Sequence, residues 1–407
     1  MPRQSALLAS LLTLAAACVA PAAPATPAVR CTASASTPEA LVQAGSDFVR
    51  AARAKSEPAL YRNAQACARE ALAQRSDFLP AQRLQGLVFL NDHEFTQARD
   101  LAVHVLSRHP DDALMWGTRS DAELELGNLP AAIEAAQRMV DVKPNLPSYG
   151  RAAHLRWLQG DLPGAKRLYS LAIASGAGQR DPEPRAWMIV QSAWLFWHEG
   201  DYPGAAAGFE LARTNLPEYA PALEGLGRTA LAAGDYAAAA RWLEQARRAR
   251  PSIETSGWLG DAYALMGDEA RAATAHAEVA RDGARHDPRA LAAFYTSHDR
   301  EPSSALMLAQ TEYAQRKDTY TEDVLAFALY RNGRVAEAER FASKIAATGT
   351  LDARLLYHVG LIEIAAARDE AARELGRTRV ADALRRNPGF DPMLTGDRNG
   401  PAFARNN

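Results

Sequence analysis

The sequence predicts an all-α superhelical solenoid of about ten helix hairpins. Three observations predict this fold: an alanine-rich composition, a glycine that returns about every 33 residues, and an alanine at one fixed position of every repeat. Alanine, the residue most favourable in a helix, makes up about a fifth of the 407 residues. Aromatic residues make up only 7% of the chain, which argues against a β-rich fold.

The clearest periodic signal is a glycine followed by Asp or Asn. It occurs, with separations of 33, 40, 34 and 33 residues, at Gly127, Gly160, Gly200, Gly234 and Gly267. Gly333 follows 66 residues later, which is two periods of 33. Glycine accepts the left-handed conformation that ends one helix, and Asp or Asn caps the next helix. Each period therefore predicts two helices joined by a tight turn.

The alanine register supports the same division. Repeats that begin at residues 45, 79, 113, 146, 186, 220, 253, 286, 319 and 353 all have alanine at their twentieth position, namely Ala64, Ala98, Ala132, Ala165, Ala205, Ala239, Ala272, Ala305, Ala338 and Ala372. A small residue there lets two helices cross closely. Two departures stand out: an extra loop at 175–184, and Arg300 in place of a turn glycine, which predicts a weaker turn at 299–303.

The repeat at 220–252 is the most regular, with Leu223, Leu226, Gly227, Gly234, Asp235, Tyr236, Ala239, Leu243, Ala246 and Pro251. It resembles the tetratricopeptide repeat (TPR), and the resemblance extends over about residues 45 to 390. The segments 318–333, 355–360 and 387–392 resemble the end of a group of exported bacterial TPR proteins of unknown function. The resemblance implies a concave surface, lined by the first helix of each repeat, that binds a protein or an extended peptide.

In this family the second, fifth, ninth, twelfth and thirteenth positions of a repeat face inward. Applied to this sequence, the rule gives a candidate peptide-binding groove that consists of His154, Trp157, Trp187, Trp194, Trp197, His198, Arg228, Phe294, Tyr320, Tyr330 and Arg331. Aromatic and arginine side chains dominate binding hot spots. The competing interpretation is that Trp194 and Trp197 pack against the neighbouring repeat or beneath the loop at 175–184.

The N-terminus has the pattern of an export signal. Arg3 precedes a mostly apolar run at 6–17, which is too short to cross a membrane, and small residues follow. The sequence therefore predicts a signal peptide at 1–25, a flexible leader at 26–44, the solenoid at 45–392 and a flexible tail at 393–407. The expected location is periplasmic or secreted. Alternatively Cys18 is lipidated, which would make the chain an outer-membrane lipoprotein.

Two cysteines, Cys31 and Cys67, remain after the signal. They are 36 residues apart, and an oxidising compartment would allow them to pair. The alternative is two unpaired small apolar residues. Neither cysteine has a spacing typical of metal ligands.

Charge and motifs exclude several classes of function. The 46 basic and 48 acidic residues leave a net charge of -2, so no basic surface for nucleic acid is expected. The chain contains no P-loop, H-E-x-x-H, C-x-x-C or G-x-S-x-G motif. His154 with His198 is a candidate pair for a metal or acid–base site, but no carboxylate with a clear role accompanies it. Glu199 with Asp201 is a candidate paired-carboxylate site, but the helix turn explains both residues better. We therefore expect a scaffold rather than an enzyme, without cofactor or metal, and membrane contact only through a lipidated Cys18.

Overall fold

The computed structural model describes residues 31, 37–55, 57, 59–214 and 216–395. Within these residues the chain forms 21 α-helices and no β-strand. The predicted signal peptide, Cys18 and the tail beyond residue 395 lie outside the described residues, as does nearly all of the predicted leader before residue 37. Among the described helices, none combines the length and apolarity that a membrane crossing requires.

The first twenty helices form ten consecutive antiparallel hairpins, and this confirms the predicted all-α solenoid. Hairpins 1 to 5 consist of α1 (Pro38–Lys55) with α2 (Ala59–Gln74), α3 (Leu79–Asn91) with α4 (Phe95–Leu106), α5 (Ala113–Glu125) with α6 (Leu129–Val142), α7 (Leu146–Leu158) with α8 (Leu162–Ser175), and α9 (Glu183–His198) with α10 (Tyr202–Arg213). Hairpins 6 to 10 consist of α11 (Ala220–Ala232) with α12 (Tyr236–Ala249), α13 (Ile253–Leu265) with α14 (Glu269–His286), α15 (Pro288–Ser297) with α16 (Pro302–Gln315), α17 (Thr319–Arg331) with α18 (Val335–Ala347), and α19 (Ala353–Ala366) with α20 (Glu370–Arg386). A short helix, α21 (Pro392–Thr395), follows.

The turns inside the hairpins have the conformation that the sequence predicts. All six periodic glycines have a positive φ, between 73° and 83°. The Asp or Asn after five of them caps the next helix by accepting a backbone N–H, in Asn128, Asp161, Asp201, Asp235 and Asp268. The turn of hairpin 8 lacks glycine, and there Asp299 and Glu301 take positive φ values of 52° and 44°. The irregular turn expected at 299–303 is therefore present, after an α15 of only 10 residues.

The alanine register holds in nine repeats and shifts in the last. Nine of the ten alanines are at most 3% exposed, whereas Ala372 is only partly buried. In hairpin 10 the helices cross instead at Gly360 and Gly376, where a Cβ on Gly376 would lie 2.9 Å from the Gly360 carbonyl oxygen. The close approach thus moves four residues along the helix, because two glycines allow a tighter crossing there than Ala372 does.

The solenoid extends beyond both predicted limits. Helix α1 begins at Pro38, so residues 38–44 are helical rather than part of a flexible leader. Leu41 is 1% exposed there, and a disulfide with an Sγ–Sγ distance of 2.09 Å joins Cys31 to Cys67 of α2. At the other end Leu394, which we assigned to the tail, is 4% exposed. Burial of these apolar side chains therefore holds both segments against the solenoid.

The superhelix winds tightly enough for distant repeats to touch. The turns of hairpins 3, 4 and 5 meet the segments that follow hairpins 8, 9 and 10. A Cβ on Gly160 would lie 2.1 Å from the carbonyl oxygen of Gly349. The guanidinium of Arg316 donates to the Glu125 carboxylate at 2.8 Å, across 191 positions. The concave surface between these repeats is therefore partly filled by the protein itself.

Asn387 joins hairpin 5 to the end of hairpin 10. Its Nδ2 donates to the carbonyl oxygen of Trp197 at 2.8 Å, and its Oδ1 accepts from the Tyr202 hydroxyl at 2.7 Å. Trp197, Tyr357 and Phe390 belong to one buried apolar cluster that spans both hairpins. Packing between sequence-distant hairpins thus contributes to the core alongside packing between neighbours.

Candidate functional site

Three neighbouring cavities lie along the inner surface of the superhelix. The first cavity, of about 610 Å³, includes Asp121, Arg151 and Trp187 in its wall. The central cavity, of about 340 Å³, is lined by Trp157, Trp194, Trp197, Arg228, Trp258 and Arg354, among others. The small cavity, of about 60 Å³, is lined by residues that include Asp261, Phe294, His298 and Asp391.

The cavities adjoin through shared walls. His154, Tyr169 and Gln191 line both the first and the central cavity. Glu254, Trp258 and Arg354 line both the central and the small cavity. The three cavities therefore form one row that runs from hairpins 3 to 5 towards hairpins 7 and 8.

Arg228 of α11 lies at the centre of a tryptophan cluster. Its guanidinium carbon is 4.7 Å from the ring centre of Trp194, 4.9 Å from that of Trp197 and 4.6 Å from that of Trp258. These rings come from α9 and α13, the first helices of the adjacent hairpins. Cation–π attraction stabilises the guanidinium, and it strengthens when water is excluded.

The charge of Arg228 has no ionic partner within 4.0 Å and no hydrogen bond among the described residues. Burial lowers the pKa of Arg228, although Glu224 and Glu254 oppose the shift. Arg151 in the first cavity is different, because its Nη2 contacts an Asp121 carboxylate oxygen at 2.7 Å. Arg228 is therefore a buried cation on which the carboxylates of Glu224, Glu254 and Asp352 act without forming an ion pair.

The C-terminal hairpins supply the opposite wall. The indole N–H of Trp157 donates to the Tyr320 hydroxyl at 3.2 Å. Arg354 places its Nε 3.7 Å from an Asp323 carboxylate oxygen, but that Nε makes no hydrogen bond to any described residue. The central cavity is thus an internal space between two parts of the superhelix, with two arginines in its wall.

The two histidines of the central cavity have lowered pKa values. Burial lowers the pKa of His154 and of His198, and Asp352 only partly opposes it at His198. The Nδ1 of His198 lies 3.5 Å from an Asp352 oxygen but makes no hydrogen bond. Because the pKa is lowered, His198 is neutral at neutral pH and this contact is not an ion pair.

Acid is expected to destabilise the protein through His198. The unfolded chain protonates this residue near a pKa of about 6.5, whereas the folded state keeps it neutral to lower pH, so stability falls as the pH drops below about 6.5. Replacement of His198 by asparagine should reduce the fall in Tm between about pH 7.5 and about pH 5.5, which bracket that value. Replacement of the exposed His109 by asparagine should leave the fall unchanged. An identical fall in both variants would contradict the lowered pKa.

Seven of the eleven groove residues that the sequence predicts line the central cavity, namely His154, Trp157, Trp194, Trp197, His198, Arg228 and Tyr320. Trp187 lines the first cavity and is 41% exposed, and Phe294 lines the small cavity. Tyr330 stacks on Phe327 at 5.6 Å between ring centres. Arg331 donates to the Thr296 carbonyl oxygen at 3.2 Å. These last two residues line none of the three cavities.

The expected open groove is corrected in one respect. Trp157 and Trp197 are only 4% and 3% exposed, because the C-terminal hairpins cover them. Trp194 packs edge-on at 4.9 Å against Phe209 of its own hairpin, and its contact with the neighbouring repeat is with Arg228, whose guanidinium carbon lies 4.7 Å from the Trp194 ring centre. The same side chains thus form core on one side and cavity wall on the other.

Sequence reasoning missed Trp258, Glu254 and Arg354. Glu254 and Arg354 occupy the second position of their repeats, which the register already marks as inward, so that signal was sufficient to find them. Trp258 occupies the sixth position of its repeat, which the inward rule does not include. The turn interpretation of Glu199 and Asp201 agrees with their contacts, because Asp201 caps α10 and Glu199 pairs with Lys166.

Comparison with known proteins agrees with this architecture. The family profile described as tetratricopeptide repeat matches residues 83–147, 190–253 and 224–288. No curated protein sequence matches the chain.

The chain is similar to several solved structures, and the first of those that follow shows the same type of fold. The Cut9–Hcn1 hetero-tetramer of the APC/C is 17% identical over 72% of this chain and 56% of that chain, with a TM-score of 0.50. PilW, a type IV pilus biogenesis factor, is 14% identical over 52% of this chain and 96% of that chain, with a TM-score of 0.45. PilF of Pseudomonas aeruginosa is 16% identical over 55% and 97% of the two chains, with a TM-score of 0.40. With its ten hairpins, its turn glycines and the family matches within residues 83–147 and 190–288, the chain is built of helix hairpins of the tetratricopeptide repeat type.

Proposed function

We propose that this chain is an exported, non-catalytic scaffold that binds a segment of another protein along its row of cavities. Tetratricopeptide repeat proteins are in general protein-interaction scaffolds. The observation that carries the proposal is Arg228, a cation between three tryptophan rings that has no ionic partner among the described residues and faces a cavity.

The dimensions favour an extended segment over a folded domain. Ligand pockets typically measure about 300–1,000 Å³, and the first and central cavities fall in that range at about 610 and 340 Å³. Such spaces admit side chains or a chain end. The exposed Trp187 offers a first contact, and Gln191 lies where the first and central cavities adjoin. A carboxylate on the segment would pair with Arg228, and apolar side chains would lie on the tryptophan rings.

Export is supported by two features of the N-terminal region. The pattern at 1–25 is that of a signal peptide. The disulfide between Cys31 and Cys67 is of a kind that persists in oxidising compartments. The alternative is a lipid-anchored periplasmic lipoprotein that organises an envelope complex. Metabolic labelling with a palmitate analogue distinguishes the two, because only the lipoprotein would carry label, and a Cys18→Ser change would remove it.

Site-specific photo-crosslinking tests the proposed site. A photoreactive residue at Gln191, between the two larger cavities, should capture a protein partner in the native envelope, whereas the same residue at the exposed Arg248 should not. Replacement of Arg228 by methionine should reduce capture at position 191 by about tenfold or more, since a charged pair typically contributes over 1 kcal/mol. Replacement of the exposed Arg241 by methionine is the matched control. Equal capture in both methionine variants would refute the role of Arg228.

A further inference from the structure

Beside the row of cavities, two histidines and one aspartate converge inside the protein. The Nε2 atoms of His276 and His298 lie 2.9 and 2.7 Å from the same oxygen, Oδ1 of Asp261. The Asp261 and His276 side chains are 4% and 8% exposed, and that of His298 is 6% exposed. The ligand-type atoms of the three residues all lie within 4.8 Å of one another. We propose that Asp261, His276 and His298 form a binding site for a divalent transition-metal ion.

The hydrogen bond on the far side of His298 determines what its Nε2 can do. Nδ1 of His298 lies 2.8 Å from the backbone carbonyl oxygen of Phe294. A carbonyl oxygen only accepts, so Nδ1 carries the hydrogen and Nε2 of the neutral ring has a lone pair. That lone pair faces a carboxylate oxygen, which also has only lone pairs. A cation between these two atoms removes the repulsion, and the cation is either a proton or a metal ion.

The surroundings of the cluster favour a metal ion. Histidines that bind a metal commonly donate their other ring N–H to a backbone carbonyl or a carboxylate, as His298 does. A proton would serve a single pair of atoms, whereas here the ring nitrogens of both histidines lie within hydrogen-bond distance of one carboxylate oxygen. Two imidazoles and one carboxylate suit Zn²⁺ and the similar ions Co²⁺ and Ni²⁺, and they leave a coordination position open.

The small cavity provides room for that open position. Asp261 and His298 form part of its wall, and its volume of about 60 Å³ accommodates about two water molecules. Asp391, which is 3% exposed, lines the same cavity. Water in this cavity would therefore complete the coordination. Ligands of a tetrahedral Zn²⁺ lie on the order of 3.3 Å apart, so the nitrogen and oxygen atoms would separate by about 0.5 Å on binding.

A metal ion bound at this site would link hairpins 7 and 8 next to the irregular turn of hairpin 8. Asp261 and His276 belong to α13 and α14 of hairpin 7, whereas His298 caps the end of α15 in hairpin 8. The next residue, Asp299, is the first of the two non-glycine residues with positive φ in that turn. A bound ion would hold the end of the short helix α15 against the preceding repeat.

Metal binding to the full chain tests this proposal directly. After treatment with a chelator, the protein should bind one equivalent of Zn²⁺ in isothermal titration calorimetry, and its Tm should rise. Asp261→Asn and His276→Gln should each weaken binding by about 100-fold or more, because even changes in the outer shell of metal sites cost about 10- to 100-fold. His286→Gln, on the exposed side of the same helix α14, should bind as the wild type does.

A second readout covers the case in which a ligand variant does not fold. Co²⁺ added to the wild-type protein should produce the intense visible absorption of a low-coordinate site, and added Zn²⁺ should abolish it. Wild-type protein that shows neither this absorption nor stoichiometric Zn²⁺ binding would overturn the proposal. The cluster would then be a proton-sharing ion pair only. Zn²⁺ binding that persists unchanged in folded Asp261→Asn and His276→Gln would overturn it as well.

Discussion

Replacement of Gly160 by alanine should destabilise the protein by about 3–5 kcal/mol, whereas the same change at Gly234 should cost only about 1–2 kcal/mol. The two glycines occupy equivalent turns and have similar φ values of 76° and 83°. An alanine Cβ at position 160 would lie 2.1 Å from the Gly349 carbonyl oxygen, whereas one at position 234 would have no atom of the described residues within 4 Å apart from its chain neighbours. The backbone strain is therefore shared, and only Gly160 adds a clash between distant segments.

Chemical denaturation followed by circular dichroism measures this difference. Both variants should keep the helical content of the wild type under native conditions. The pair serves as its own control, because the cost of a positive φ cancels when the two free energies of unfolding are subtracted. Equal destabilisation of the two variants would mean that the turn of hairpin 4 does not touch the segment after hairpin 9 in solution.

Replacement of Trp197 by alanine should also cost about 3–5 kcal/mol, because deletion of a buried tryptophan removes a large apolar surface and leaves a cavity. Trp197 is 3% exposed, it contacts Trp194 edge-on at 5.5 Å between ring centres, and it shares a core cluster with Tyr357 and Phe390. Thermal unfolding measures the effect as a fall in Tm.

The matched control is Trp187, which is 41% exposed. Its replacement by alanine should change stability by at most about 0.5 kcal/mol, as is usual for surface positions. The comparison also decides how binding data are interpreted, since a loss of binding in Trp197→Ala would reflect damage to the core, whereas a loss in Trp187→Ala would report on the first cavity. Similar Tm values for the two variants would contradict the burial of Trp197.

The repeats could be predicted from the sequence because their signals are local. A turn glycine, a capping Asp or Asn and the alanine at the crossing lie within about twenty residues of one another, and each acts on its own hairpin. The last repeat departs from this rule, since Gly360 and Gly376 offer a closer crossing than Ala372. No local signal in the sequence indicates that the helix crossing moves from Ala372 to Gly360 and Gly376.

The closure of the superhelix could not be predicted in the same way. It depends on the small rotation between successive repeats, which accumulates over five or six hairpins and which no single residue specifies. The register accordingly placed Trp157 and Trp197 on the inner surface but gave no indication that hairpins 9 and 10 cover them. Tyr330 and Arg331 line none of the three cavities, because Tyr330 stacks on Phe327 of the same helix and Arg331 donates to the Thr296 carbonyl oxygen of α15.

The amide of Asn387 ties the fifth hairpin to the end of the tenth through Trp197 and Tyr202, so it holds together two parts of the molecule that both line the central cavity. A partner segment that reached Arg228 through a separation of these two parts would have to break this bridge first, whereas one that entered past the exposed Trp187 would not. On the first route, the rate of uptake would stop depending on the partner concentration once the separation of the hairpins limits it.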